Sequence, residues 1–195
     1  FAVVTTRVSA QIENLPWGGE KSPRNHVCDT DWTQDFIVNP GANAGQGVRV
    51  AVIDTGIANH PDLEGRVVDG ISFEIGEYWE DYYGHGTQVA GIIAAIDNGN
   101  HLIGVAPRVS LYAIKAYHVQ SIIDGINWAV SKGVHIISIS QGTYDYNATL
   151  ETAVNNAYNS GVLLMAASGN DDKPVVMYPA AFTSVIAVGA INQND

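Results

Sequence analysis

The chain of 195 residues contains one cysteine, two methionines and only nine lysines and arginines. Each shortage excludes something. A single thiol, Cys28, cannot close an intrachain disulfide, so no disulfide framework is expected, although larger secreted domains manage without one. Nine cations against 20 acidic side chains leave a formal net charge of −11. No basic patch suited to a phosphate backbone can be assembled from them, so nucleic acid is not an expected partner. No apolar run approaches the roughly 20 residues that cross a bilayer, and no membrane span is expected. Phe1-Ala2-Val3-Val4-Thr5-Thr6-Arg7 also lacks the charged and apolar blocks of an intact signal peptide.

What is present is a chain 46% hydrophobic and 15% charged, too apolar to stay disordered and long enough for one domain with a sizeable core. Residues 1–46 read as irregular and polar, punctuated by proline and glycine. From Val48 onward a rhythm begins. Val48-Arg49-Val50-Ala51-Val52-Ile53 is rich in β-branched residues and is closed by Asp54-Thr55-Gly56; similar runs recur at 111–116, 135–140, 161–167 and 185–189. Near-continuous apolar strands indicate a parallel sheet covered on both faces. Between them lie helical stripes: Val89, Ile92, Ile93 and Ile96, then Val119, Ile122, Ile123 and Ile126, then Leu150, Ala153, Val154 and Ala157 before Gly161. The expected fold class is α/β, a three-layer arrangement of a mostly parallel sheet with helices on both faces. Ligands of such sheets bind beyond the carboxyl ends of the strands.

Three polar residues fall at such ends. Asp54 closes the first core run, where a carboxylate must be solvated or hydrogen-bonded, and by itself it reads as a turn cap. His85 lies in Gly84-His85-Gly86-Thr87 at the start of a helical stripe, where the positive dipole end favours neutral imidazole. Asn170 follows Ala166-Ala167-Ser168-Gly169, and its amide can donate to a developing oxyanion. Taken singly, each is an ordinary loop residue.

Taken together they are more specific. Val50-Ala51-Val52-Ile53-Asp54-Thr55-Gly56-Ile57, Gly84-His85-Gly86-Thr87-Gln88-Val89-Ala90-Gly91 and Ala166-Ala167-Ser168-Gly169-Asn170 closely resemble segments of subtilases, the subtilisin-like serine proteases. His60-Pro61-Asp62-Leu63, Gly104-Val105-Ala106-Pro107 and Tyr178-Pro179-Ala180 extend the resemblance, in the family's order, over about residues 12–192. The resemblance implies a secreted serine endopeptidase acting on peptides or proteins. In it His85 is the general base, Asp54 orients the imidazole and Asn170 donates to the oxyanion. Ser140, Gln141 and Gly142 correspond to the strand that pairs with the substrate backbone, and Ala166, Ala167 and Ser168 to the walls of the primary specificity pocket. A structural calcium ion is implied at Glu13, Asp62 and a loop holding Ile96, Asn98, Asn100 and Leu102, whose oxygens suit a hard cation. Residues 1–11 then read as an extension or the tail of a pro-segment, and 12–195 as a partial catalytic domain.

Two departures matter. The family carries its nucleophile in Gly-Thr-Ser, and no such string occurs here, so the chain is expected to lack the serine and to be inactive alone. The alternatives are a non-catalytic module that binds peptides or inhibitors, and a serine-bearing part supplied from a missing C-terminal portion or a separate chain. The second departure is the short segment 116–121, where the family has a longer strand beside the bound peptide; the substrate is expected to be flanked on one side only. Gln88, where most members have a histidine, lies outside the triad. The remaining histidines show no zinc-ligand spacing, so zinc catalysis is not expected.

Overall fold

Alternation along the first core strand sets the layering. Successive side chains of a strand point to opposite faces, and in β1 (Arg49–Asp54) Val50 and Val52 enter one apolar cluster while Ala51 and Ile53 enter another. Both faces therefore need cover. Helix α1 (His85–Ala94) supplies it on the first through Val89, Ala90, Ile93 and Ala94. Helices α2 (Val119–Ser131) and α3 (Ala148–Asn159) supply it on the second through Ile122, Ile123, Ile126, Leu150 and Val154. This is the three-layer α/β arrangement read from the sequence.

The computed structural model describes residues 43–98, 103–171 and 174–190. Within them, β2 (Val67–Ser72), β3 (Ser110–Lys115), β4 (Ile136–Ile139), β5 (Leu163–Ala167) and β6 (Ile186–Val188) join β1 in one six-stranded sheet of order β2-β3-β1-β4-β5-β6. Every pairing is parallel. Ile53, Ile114, Ile126, Ile137 and Ile139 are at most 1% exposed, and each such burial contributes about 1.5–3 kcal/mol relative to exposure. No described helix is long and apolar enough to cross a membrane.

The register positions the site. Ile53 stands beside Ile139, and Ile139 beside Ala166, so the chain leaves β1, β4 and β5 at one edge through Asp54, Ser140 and Ala167. Strand β1 lies between β3 and β4, the place where strand order reverses and a crevice opens in sheets of this kind.

Some boundaries differ from the sequence reading. Strand β2 was not anticipated: Asp69 and Gly70 interrupt its apolar character, its register shifts between Val67 and Asp69, and it sits at an edge where only one neighbour pairs. The first helical stripe extends to Ile96, but α1 ends at Ala94, because the Ile96 N–H donates to the Asp62 carbonyl instead. Cys28 lies outside the described residues.

Candidate active site

Asp54 is the last residue of β1 and only 2% exposed. A carboxylate buried this deeply requires donors. Its Oδ1 accepts from the Thr55 N–H at 2.7 Å and lies 2.7 Å from Nδ1 of His85. Its Oδ2 is buried with no partner among the described residues. Facing an acceptor-only carboxylate, Nδ1 must carry the proton, which leaves the Nε2 lone pair free to accept one.

His85 opens α1, and the turn that delivers it needs two glycines for different reasons. Gly84, the N-cap, has φ 91°, a region that side chains with a Cβ rarely adopt. Gly86 approaches the end of β1 so closely that a Cβ there would lie 2.1 Å from the Gly56 carbonyl oxygen and 3.1 Å from Asp54 Oδ1. The imidazole is 42% exposed, open on its Nε2 side while its Nδ1 side is anchored.

The hydrogen bond to Asp54 raises the His85 pKa above its ordinary value; burial opposes this, and the charges of Asp54 and Asp81 add to it. A carboxylate in direct contact acts in the opposite sense to the helix dipole, from which the sequence reading expected a bias toward neutral imidazole. The contact thus stabilises the imidazolium relative to that of an isolated histidine.

The other residues singled out by sequence lie along the same sheet edge. Ser140 follows β4, and Gln141 reaches back through Nε2 to donate to the Ala116 carbonyl. Gly142 passes close to Tyr178, and Thr143 forms an antiparallel bridge with that residue. Ala166 is 2% exposed and packs in the core cluster beneath α3. Ala167 ends β5; Ser168 donates its N–H to the Val188 carbonyl and accepts from the Met177 N–H. Asn170 is exposed, one residue past Gly169, and forms no hydrogen bond with Asp54 or His85 among the described residues. Asp54 and His85 are thus in contact, and the other residues share the edge with no hydrogen bond to either side chain among the described residues.

A profile of the subtilase family matches residues 45–195. The chain belongs to the subtilase family. It is 47% identical over 187 residues to the thermostable alkaline protease of Halalkalibacterium halodurans, covering 90% of this chain and 51% of that protein. It is 48% identical over 192 residues to subtilisin Savinase of Lederbergia lenta, covering 94% of this chain and 66% of the relative. It is 42% identical over 197 residues to an alkaline protease of Shouchella clausii, covering 96% of this chain and 48% of the relative. The chain therefore spans from about half to two thirds of the length of these relatives.

Two features of this subtilase were not legible beforehand. Where segment 116–121 is short, β3 passes into α2 directly, and Glu74 fills the junction. Its carboxylate, 9% exposed, accepts from the Tyr117 N–H and the Ser121 hydroxyl and lies 2.9 Å from His118 Nδ1. Burial alone would raise the Glu74 pKa, but these hydrogen bonds outweigh it and hold the group below its ordinary value. The second feature is Asp81, a buried carboxylate four residues before His85.

The residues suggested for calcium are only partly within view. Asp62 is 5% exposed; its Oδ1 accepts from Asn98 Nδ2 at 2.8 Å, and its carbonyl accepts from the Ile96 N–H at 2.8 Å. Both bonds tie Asp62 to the segment that follows α1, and the Asp62 oxygens they use accept from N–H groups. Glu13, Asn100 and Leu102 lie outside the described residues. Among the described residues no group of three or more His, Cys, Asp or Glu side chains converges.

Proposed function

We propose that this subtilase is part of a secreted, subtilisin-type serine endopeptidase in which Asp54 and His85 are two members of the triad. The observation that carries this reading is the 2.7 Å contact between a buried carboxylate at a strand terminus and an imidazole whose Nε2 side is open. Nε2 takes the hydroxyl proton as a serine oxygen attacks the substrate carbonyl carbon, then returns it to the leaving amine. Asp54 keeps Nδ1 protonated throughout and stabilises the imidazolium that forms. Asn170, on the loop after β5, donates its amide to the oxyanion, a contribution of about 3–4 kcal/mol to the barrier.

The peptide or protein substrate lies along Ser140, Gln141 and Gly142, with Ala166, Ala167 and Ser168 near its primary side chain. No Gly-Thr-Ser string occurs among the 195 residues, so the nucleophile is assigned to a portion of the gene product beyond them. Asp62, Asn98 and the backbone of Ile96, with Glu13, Asn100 and Leu102, would hold a calcium ion that ties the end of α1 to the segment after β1. Residues 1–11 are read as an extension or the tail of a pro-segment, which would be a further partner of the cleft.

The test is hydrolysis of a casein substrate by the full gene product and its His85→Ala variant. Loss of about 10⁶ in kcat on removing the base supports the reading. Hydrolysis unchanged by His85→Ala would overturn it.

A further inference from the structure

Asp81 is 6% exposed and accepts five hydrogen bonds. Its Oδ1 takes the Thr55 hydroxyl, the Tyr83 N–H and the Gly84 N–H, each at 2.9 Å. Its Oδ2 takes the Thr87 N–H at 2.9 Å and the Thr87 hydroxyl at 2.6 Å. These donors come from three separate pieces of chain: the residue after Asp54, the turn before His85, and the first turn of α1. The bonds continue outward. Thr55 Oγ1 accepts from the Gly86 N–H at 2.9 Å, and Thr87 Oγ1 accepts from the Ala58 N–H at 2.9 Å. The residues flanking both Asp54 and His85 are therefore tied through one carboxylate.

A buried carboxylate without a cation is tolerable when so many donors surround it, and its charge suits the unpaired N–H groups of a helix start. Neither reason requires the bonds to be distributed as they are. A simple cap would bond within α1 alone; Asp81 also reaches Thr55 on the other side of the pair.

We propose that Asp81 is a positioning residue, locking the start of α1 against the end of β1 so that His85 Nδ1 stays on Asp54. It acts through Thr55, Gly84 and Thr87 instead of touching a reacting atom. The consequence for turnover rests on the protease reading above; the geometric role does not. Shifts near 1 Å in a reacting constellation cost about 10²-fold in rate.

The charged groups facing His85 are Asp54 and Asp81, so charge and position must be separated. The experiment follows the Nδ1 proton and the titration of His85 by NMR in the wild-type protein and in Asp81→Asn, Thr87→Val and Thr87→Ser. Thr87→Val keeps the Asp81 charge and removes the bridging hydroxyl. Positioning predicts that Thr87→Val exposes the Nδ1 proton to exchange and lowers the pH at which His85 titrates. It further predicts that Thr87→Ser restores both, and that Asp81→Asn exceeds Thr87→Val. In the full gene product Asp81→Asn should lower kcat about 10²-fold with little change in KM. A wild-type Nδ1 signal and titration in Thr87→Val would overturn the proposal, because the charge of Asp81 would then act through space alone. Should Asp81→Asn fail to fold, the two Thr87 variants decide. Failure of the protease reading would look different: no hydrolysis by the wild-type gene product, with the NMR behaviour intact.

Discussion

Replacing Gly86 by alanine tests the approach of α1 to β1 with a single methyl group. Gly86 lies within α1, and in a free helix alanine is preferred over glycine by about 1 kcal/mol. Here the added Cβ would meet the Gly56 carbonyl oxygen at 2.1 Å, whereas ordinary carbon–oxygen contacts begin at about 3.3 Å. Relief of about 1.2 Å must come from backbone on both sides, since neither atom sits on a rotatable side chain. Overpacking of this kind costs about 1–3 kcal/mol. The movement also separates Asp54 from His85, whose charge-assisted bond is worth about 1.5–3 kcal/mol, taken at the low end because the imidazole is 42% exposed. After subtracting the helix preference, the net destabilisation is about 1.5–3.5 kcal/mol. Urea denaturation should show it as a midpoint lowered by about 1 M with an unchanged slope. A Gly86→Ala protein as stable as the wild type, with unaltered His85 titration, would refute the close approach and the contact built on it.

The remaining expectations follow from the same residues. Hydrolysis by the full gene product should rise with pH as His85 loses its proton, with the acid limb above the ordinary histidine value of 6.5, and Asp54→Asn should shift that limb down and cut kcat by about 10⁴. Because the folded pKa of His85 is raised, its contribution to stability should be full below 6.5 and vanish as pH climbs through the folded value, which urea titrations across that range check. Glu74→Gln should destabilise the α2 start by about 1–2 kcal/mol at neutral pH. Glu74 is held below its ordinary 4.5, so that deficit should shrink as pH falls through its folded value, read by urea titrations in acid. Calcium at 100 times its Kd should stabilise the protein by about 2.7 kcal/mol, and Asp62→Asn should abolish the effect; a Tm identical in calcium and chelator would exclude the site.

The layered fold was readable because β1, β3, β4 and β5 are short apolar runs and the helical stripes keep their period. Strand β2 was not readable, since Asp69 and Gly70 break its pattern and only its pairing with β3 reveals it. Asp54 and His85 were readable from their local strings, because the turn after a strand and the start of a helix each leave a short signature. Asp81 and Glu74 carry no such signature. Asp81 reaches Thr55 across 26 residues and Glu74 reaches Ser121 across 47, so their meaning exists only after folding. The rise in the His85 pKa was not readable for the same reason: the dipole is a local property of α1, whereas the carboxylate in contact with the imidazole arrives from another strand.

The central claim is that His85 activates a serine, and covalent labelling by a fluorophosphonate measures this most directly. The reagent is applied to the folded full gene product and to its His85→Ala variant, and the modified residue is located by mass spectrometry. The expected result is one label per molecule on a serine in a Gly-Thr-Ser segment, lost in His85→Ala. Absence of labelling in the folded wild-type product, or labelling that persists in His85→Ala, would contradict it.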